Sequence, residues 1–143
     1  MITITKIAKL KRATFRYLES ELYAYKETKK EIEMLRNEIM FASSPDENIG
    51  GGRSNIPSSP TENIATRLLT HKTLRNLEDV AHAITDVYDM VSDDHKKVID
   101  LKYFKRKELS WDDVAYQLKM HRNTALKLRR EVVQLLANKL GMR

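Results

Sequence analysis

The sequence lacks cysteine, holds few glycines and prolines, and contains no long apolar run. Its 143 residues include no Cys, 4 Gly and 3 Pro. The absence of cysteine excludes a disulfide framework and any thiolate metal site. No apolar stretch approaches the roughly 20 residues of a membrane span. Cations interrupt the N-terminal stretch MITITKIAKLKRATF, which therefore does not resemble a secretory signal. We expect a soluble protein of the cytoplasm, without a membrane partner.

The patterning of the chain is helical, and its positive charge is concentrated at one end. No segment shows the alternation of apolar and polar residues that a half-buried β-strand requires, so the predicted fold class is all-α. The net charge is +6. Residues 92–143 hold 13 Lys and Arg against 7 Asp and Glu, whereas residues 42–91 hold 4 against 7. Such a local excess is typical of a segment that binds a polyanion.

The most informative stretch is SWDDVAYQLKMHRNTALKLRREVVQLL, residues 110–136. Ser110 followed by Asp113 is a capping-box signature, which predicts the start of a helix. Apolar residues recur at helical spacing in this helix and again in a second helix, after a short turn at residues 119–121. These apolar residues are Trp111, Val114, Ala115 and Leu118, and then Ala125, Leu128, Val132, Leu135 and Leu136.

The face of the second helix opposite its apolar stripe carries Arg122, Asn123, Leu126, Lys127 and Arg130. In a helix-turn-helix, the first helix holds the second in place and the outer face of the second enters the major groove of DNA. Arg and Lys pair with guanine and Asn with adenine, each good pair contributing roughly 1–3 kcal/mol of discrimination. We predict double-stranded DNA as the partner. The alternative is a plain helical hairpin with a solvated basic face.

A preceding helix and a basic loop extend this unit towards the N-terminus. Ser92 precedes two aspartates that suit the first turn of a helix, and Lys107 ends the basic loop at residues 105–107. Together these elements resemble region 4 of sigma factors, which reads the promoter −35 element. Lys119 departs from the usual pattern because the turn commonly has Gly there, and His121 because a Ser or Thr cap is common. A left-handed Lys119 would cost on the order of 1 kcal/mol relative to Gly.

Residues 1–41 predict a helical arm. From residue 7 to residue 40 the chain contains neither Gly nor Pro. The apolar residues that recur every seven positions are Leu18, Tyr25, Ile32 and Ile39. This spacing is typical of a coiled coil, although Thr28 and Lys29 interrupt the seam. We expect the arm to join subunits into a homo-oligomer, with a dimer favoured, because operator-binding helix-turn-helix proteins usually act as dimers. The alternative is that the arm completes the core of a monomer.

Residues 42–59 hold three of the four glycines and two of the three prolines, which predicts a flexible linker. Their Gly-Gly-Gly run lacks the Gly-Lys-Ser/Thr of a phosphate loop. A cap, a proline and a glutamate within residues 59–62 then predict a helix start. The middle segment, 60–91, is one helix or, if it breaks at residues 70–73, a helix pair. Its apolar face is Ile64, Leu68, Leu77, Val80, Ile84, Val87, Tyr88 and Val91. Residues 92–143 form the predicted DNA-binding domain.

The residues that commonly carry catalysis have structural explanations here. The four histidines lie far apart and have no Cys partners, so no metal site is predicted. The acidic pairs at residues 93–94 and 112–113 lie in first helical turns, where carboxylates interact favourably with the helix dipole. No motif for nucleophilic catalysis or nucleotide binding is present. We expect neither enzyme activity nor a cofactor.

Over nearly its full length, the chain resembles the RinA/ArpU group of phage transcriptional regulators. The resemblance rests on ATFRYLESELYAYKETKKEIEMLRNEIM at residues 13–40, ENIGGGRSNIPSSPTENIATRLLT at residues 47–70, and the unit at residues 110–136. It implies activation of phage or prophage late genes, which encode packaging, structural and lysis proteins. Host RNA polymerase is then a second expected partner.

The sigma-region-4 pattern implies roles for individual residues at the start of the second helix. Arg122, Asn123 and Lys127 match positions that contact DNA. Leu126, on the same outward face, is expected to touch a thymine methyl group. Phosphate contacts are expected for Thr124 and Arg130. The basic residues Lys119 and Lys107 complete the predicted DNA-binding set.

We therefore predict a sequence-specific DNA-binding transcriptional activator. A phage DNA-packaging protein, such as a small terminase subunit, is also helical and binds DNA, although its DNA-binding unit is usually N-terminal. A sigma-like protein that recognises DNA only together with RNA polymerase is a second alternative. A third is an interaction module whose basic helix binds an acidic protein.

Overall fold

The computed structural model describes residues 9–42, 60–105 and 108–143, and these residues form an all-α fold without a β-strand. The predicted fold class is confirmed. The helices are α1 (Arg12–Tyr23), α2 (Tyr25–Ala42), α3 (Pro60–Met90), α4 (Asp93–Val98) with a π-helical continuation (Ile99–Phe104), α5 (Trp111–Gln117) and α6 (Arg122–Leu140). Among the described residues, no helix is long and apolar enough to cross a membrane. The predicted linker lies almost entirely outside the described residues.

The helices group into two compact units. The first unit comprises Met1–Lys26 together with Val80–Arg143, and the second comprises Glu27–Asp79. Helix α1 thus belongs with the C-terminal helices, whereas the sequence analysis placed it in a separate arm. The boundary between the units runs through α2 and α3 rather than through the predicted linker.

The core of the first unit is built from α1, the end of α3, the π-helical segment and α6. Leu18 and Leu22 of α1 are 0% and 1% exposed, and they share one apolar cluster with Val87 of α3 and Leu136 of α6. Full burial of an aliphatic side chain of this size contributes about 1.5–3 kcal/mol. The heptad residues at the start of the predicted arm therefore pack inside the chain's own first unit.

The single long helix predicted from residue 7 to residue 40 is divided at Ala24. There the backbone leaves helical geometry, with φ −87° and ψ 4°. The aromatic residues on either side then pack in different ways. Tyr23 meets Tyr103 edge-on at 4.9 Å, whereas Tyr25 stacks on Phe104 at 5.0 Å. The sequence does not reveal this break, because the residue at which it occurs, Ala24, is of a type that favours the helix.

Helix α4 begins where the sequence predicted, since the Ser92 hydroxyl accepts a hydrogen bond from the His95 amide. Its continuation is π-helical and ends with the Lys105 amide donating to the Asp100 carbonyl at 2.9 Å. Such wider turns are rare. This segment buries three side chains in the first unit, which are Ile99, Leu101 and Tyr103.

The second unit contains most of α2 and the first part of α3. Ile32 and Thr28 of α2 are 7% and 5% exposed, so Thr28 is buried on the predicted seam instead of interrupting it. Arg36 of α2 binds Glu78 of α3, with Nε 3.1 Å from Oε2. Helix α3 runs without a break through residues 70–73, so the middle segment is one helix.

Candidate nucleic-acid interface

Helix α5 starts with the predicted capping box. The Asp113 amide donates to the Ser110 hydroxyl at 3.1 Å, and the Ser110 amide donates to the Asp113 carboxylate at 3.4 Å. Two of the amides at the start of the helix, which have no partner inside it, are thereby satisfied. Val114 and Ala115 are buried, so the apolar face of α5 packs inward as the sequence predicted.

The turn after α5 closes as a Schellman motif. The Met120 amide donates to the Ala115 carbonyl at 3.0 Å, and the Lys119 amide donates to the Tyr116 carbonyl at 3.2 Å. This pattern requires a left-handed residue, and Lys119 has a φ of 56°. The strain foreseen for Lys119 is therefore present, because its Cβ carries the penalty that a glycine would avoid.

His121 replaces the expected Ser or Thr cap of α6 with its ring. Its Nδ1 accepts a hydrogen bond from the Asn123 amide at 3.0 Å. An accepting Nδ1 must carry a lone pair, so the neutral ring has its proton on Nε2. The start of the second helix is thus capped, although by a residue type that capping rules rank outside the usual set.

Helix α6 has a buried face and an exposed face. The seven buried residues are Ala125, Leu128, Val132, Val133, Leu135, Leu136 and Ala137, which include all five predicted apolar positions. This buried face packs against α5, α4 and α1. Because three elements hold the helix, its outer face has a fixed orientation relative to the rest of the first unit.

The outer face of α6 carries the residues that the sequence analysis assigned to DNA. The exposed ones on this helix are Arg122, Asn123, Thr124, Lys127 and Arg130. Lys119 in the turn is also exposed, and Leu126 is half-buried. Lys107 lies outside the described residues. The structure therefore brings the described members of the predicted set together at one end of α6, while their contact with DNA stays a prediction.

Arg122 has an acidic partner that the sequence analysis assigned only to a helix terminus. Its Nε lies 2.9 Å from Oδ1 of Asp112 in the first turn of α5. Both side chains are more than half exposed, so the pair contributes little to stability. The contact is made through Nε, so it occupies one edge of the guanidinium and not the edge formed by the two terminal nitrogens.

A polar network beneath this interface joins α6 to α1. Arg129 donates to the Glu19 carboxylate from Nε at 2.8 Å and from Nη2 at 2.6 Å. The Tyr103 hydroxyl donates to the same carboxylate at 2.6 Å. The Arg129 guanidinium also lies 4.9 Å from the Phe15 ring centre and 5.2 Å from that of Trp111. A carboxylate held by three donors and a cation between two rings make a specific connection between elements distant in sequence.

This network changes the ionisation of its members. Burial raises the pKa of the Tyr103 hydroxyl, and the nearby Glu19 carboxylate raises it further. Hydrogen bonding to Glu19 raises the pKa of Arg129, against the opposing effect of burial. Both shifts favour the protonated forms, so the network is stable in the state in which Tyr103 is neutral and Arg129 is charged.

Arg129 lies between the predicted DNA-binding residues in the sequence, but its side chain points inward to Glu19. Four residues separate it from Ala125 and three from Val132, both of which are buried, so it stands within the apolar stripe of α6. That position is the signal that would have identified it. The sequence offers no comparable signal that pairs it with Glu19, which lies 110 residues away.

A second connection ties α4 to α6 on the side of His95. Its Nδ1 lies 2.6 Å from the Ser92 hydroxyl and its Nε2 lies 2.9 Å from Oε1 of Glu131. Both ring nitrogens are engaged by side chains that fix the ring. In the part of the chain that the structure describes, no three His, Asp or Glu side chains are arranged to hold a metal ion.

The comparisons with known proteins place the chain in a family. Residues 9–138 match a family described as "Protein of unknown function (DUF722)". The chain belongs to this family. A relative, the Transcriptional activator rinA of Staphylococcus phage phi11, is 33% identical over 133 residues, which are 92% of this chain and 94% of the relative. The comparison with solved structures gave no match.

The similarity to rinA supports a RinA-like phage regulator, which is the coarser part of the family resemblance drawn from the sequence. The matched region extends from the beginning of α1 almost to the end of α6, so it includes both units as well as the candidate interface. The alignment with rinA likewise covers nearly the whole of both chains. The similarity is therefore not confined to a short DNA-binding motif.

Proposed function

We propose that this protein is a sequence-specific DNA-binding transcriptional activator of phage or prophage late genes. Its relative at 33% identity is a transcriptional activator from a phage. The observation that carries the proposal is the outer face of α6, where Asn123, Lys127 and Arg130 are exposed while the opposite face is buried. That arrangement is what a recognition helix requires.

In this proposal α5, the turn and α6 act as a helix-turn-helix, and the first turns of α6 enter the major groove. Asn123 is placed to pair with adenine, and Arg122 with guanine. Leu126 contacts a thymine methyl group. Thr124 and Arg130 bind phosphates.

The ion pair with Asp112 supports the assignment of Arg122. A carboxylate on Nε leaves both terminal nitrogens of the guanidinium available for O6 and N7 of guanine. Lys119 and Lys127 add positive charge beside these residues, and we assign Lys127 to the groove. Lys107, which lies outside the described residues, is assigned to the same DNA-binding set from the sequence alone. For each phosphate that such a residue neutralises, the logarithm of the binding constant falls by roughly 0.9 for every tenfold increase in salt concentration.

Activation requires more than binding, so the proposal includes two further partners. A second subunit, with a dimer favoured, places two reading heads on one operator. Host RNA polymerase is the partner through which bound activator raises transcription. No cofactor and no chemical step are required.

The test is in vitro selection of random duplex DNA by the purified protein, followed by binding of single variants to the enriched sequence and to a scrambled one. Asn123→Ala and Arg122→Ala are expected to lower affinity for the enriched sequence by roughly 1–3 kcal/mol and to reduce its advantage over scrambled DNA. Arg130→Ala is expected to weaken both sequences alike and to reduce the salt slope by about 1.

Lys139→Ala provides the matched control because it removes a cation from the far end of the same helix, roughly 25 Å from Arg122. We expect it to leave both affinities nearly unchanged. Equal losses on both sequences for Arg122, Asn123 and Arg130 would contradict the proposed division between base reading and phosphate binding. Binding without an enriched sequence would favour bulk DNA contact, as in packaging.

A further inference from the structure

Residues 122–130 of α6, which we call its reading half, carry the proposed DNA contacts but have few apolar anchors. The buried side chains of the reading half are Ala125 and Leu128, whereas residues 131–140 contain the other five buried side chains of the helix. Apolar packing is non-directional, and a side chain as short as that of Ala125 offers little resistance to rotation of the helix about its axis. Any other contact of the reading half therefore has a large share in fixing its rotation.

Arg129 supplies such a contact. It follows Asn123 at a distance of about 9 Å along the helix axis, and its side chain is 28% exposed. The guanidinium reaches away from α6 to the Phe15 ring of α1 and to the Trp111 ring at the start of α5. One side chain of the reading half thus touches two other helices.

The direction of the Arg129 guanidinium is set by Glu19 of α1. Nε and Nη2 donate to different oxygens of the carboxylate, and a fork of this kind fixes an angle as well as a distance. The Tyr103 hydroxyl donates to the same carboxylate, which is therefore held from the π-helical segment as well. The side chain of Glu19 is 14% exposed, so solvent screens this ion pair less than the exposed pair of Arg122 and Asp112.

We propose that Glu19 is a positioning residue for the reading of bases by α6. Through Arg129 it fixes the rotation of the reading half, and with it the angle at which Asn123 and Lys127 meet the base edges. Contacts of this kind must be held to within about 0.5 Å and 10–20°, so a small rotation is enough to weaken them. This role rests on the proposed function, since it matters only if α6 reads bases, and Glu19 itself does not touch the DNA.

The test measures the affinity of the full-length protein for the DNA sequence enriched by in vitro selection and for a scrambled one. Glu19→Gln keeps the size of the side chain but removes its charge and one accepting oxygen. Its affinity for the enriched sequence is expected to fall about tenfold, as for the loss of one base contact. Its affinity for scrambled DNA should change less than about twofold, because that binding is mainly electrostatic. The preference of the protein, which is the ratio of the two affinities, should therefore fall at least about fivefold.

A purely structural role would not change this ratio. A variant that is only less stable has a smaller folded fraction, which lowers the apparent affinity for both sequences by the same factor. Val87→Ala is the matched stability control, because Val87 is 1% exposed in the same core but lies outside the network of Glu19. Glu21→Gln is the matched charge control, since it removes a carboxylate from the same helix. Both controls are expected to keep the wild-type preference.

Two further variants keep the test decisive if Glu19→Gln fails to fold. Arg129→Lys retains the positive charge but not the fork, and it should reduce the preference about as much as Glu19→Gln does. Tyr103→Phe removes one of the three donors to the Glu19 carboxylate and should reduce the preference about twofold. Glu19→Gln and Arg129→Lys in one protein should reduce it no further than either alone, because the two residues act as one unit.

Variants of Glu19 and Arg129 that are helical by circular dichroism and keep the wild-type preference would overturn this role, whether or not both affinities fall. So would an equal loss of preference in the Val87→Ala or Glu21→Gln control. In each of these cases, a loss of preference on Asn123→Ala would leave the proposed function standing. A wild-type protein that shows no preference would overturn both.

Discussion

The two units of this chain bury apolar side chains to very different extents. Of the 22 buried apolar side chains among the described residues, 21 lie in the first unit and one, Ile32, lies in the second. Conversely, six of the ten large apolar side chains that are exposed in the described parts of the chain lie in the second unit. Among the described residues, the first unit therefore has a core of its own, whereas the second unit exposes more large apolar side chains than it buries.

The burial in the first unit fits the function that we propose for it. A recognition helix must be held rigidly, because a base contact depends on the side chain being presented at a fixed angle. The first unit supplies that rigidity by burying one face of α6 against three other elements. The described part of the second unit instead leaves six large apolar side chains exposed.

The largest expected effect on stability comes from a pair of Leu→Ala variants, one in each unit, which compares apolar burial in the two units. Leu136 is 0% exposed and Leu68 is 64% exposed. Leu136→Ala removes buried methyl groups and leaves a cavity, so we expect the free energy of unfolding to fall by about 2–5 kcal/mol. Leu68→Ala should change it by less than about 0.5 kcal/mol in the monomer. Urea denaturation at low protein concentration measures both.

Equal losses from these two variants would show that Leu68 is covered in solution even in the monomer, and the contrast between the units would then be wrong. A small loss from Leu136→Ala would show that the first unit relaxes around the cavity. Either outcome is distinguishable from association, because the measurement is repeated at several protein concentrations and only association makes stability depend on concentration.

The parts of this fold that the sequence predicts are those controlled by local rules. The capping box at Ser110 and the apolar stripe of α6 depend on neighbouring residues and on helical periodicity alone. The left-handed Lys119 was raised as a condition by the resemblance to sigma region 4, in which Gly is common at this position, and the structure gives Lys119 a φ of 56°.

The parts that the sequence does not predict depend on contacts between distant residues. Glu19 of α1 and Arg129 of α6 are distant in the sequence, and their ion pair depends on the packing of α1 against α6. Periodicity indicates that Ile64 and Leu68 belong to an apolar face, but it does not indicate whether that face meets the same chain or another. The position of Arg129 within an apolar stripe was visible, whereas the identity of its partner was not.

A smaller test concerns pH, and it addresses the buried network of the first unit. The pKa of Tyr103 is raised in the folded state by burial and by Glu19, while an unfolded tyrosine titrates near pH 10. The stability that results is fully present below about pH 10 and is lost as the pH rises above it, because the unfolded state releases its proton first. We expect the free energy of unfolding to decrease between pH 9 and pH 11.

Tyr103→Phe separates this residue from other groups that titrate at alkaline pH. The variant removes the hydrogen bond to Glu19 and should cost about 1 kcal/mol at pH 8. Its alkaline decrease should be shallower than that of the wild type, because one titrating group has been removed. Parallel profiles from urea denaturation at each pH would show that Tyr103 ionises in the folded state as readily as in the unfolded one.

The smallest expected effects on stability concern two turns of the first unit, each of which contains a residue with left-handed backbone geometry. Lys119 and Gly141 both have positive φ, 56° and 70°, and each follows a helix that closes with a Schellman pair of hydrogen bonds. Lys119→Gly should stabilise the protein by about 0.5 kcal/mol, since relief of about 1 kcal/mol of strain is partly offset by the greater freedom of glycine in the unfolded chain. Gly141→Ala should destabilise it by about 1 kcal/mol through strain alone, because nothing lies within 4 Å of the added Cβ.

Thermal unfolding measures both variants, and opposite signs are the expected result. If Lys119→Gly also destabilised the protein, the Lys119 side chain would contribute more than its backbone strain removes, and its place in the turn would have a structural reason besides the proposed contact with DNA.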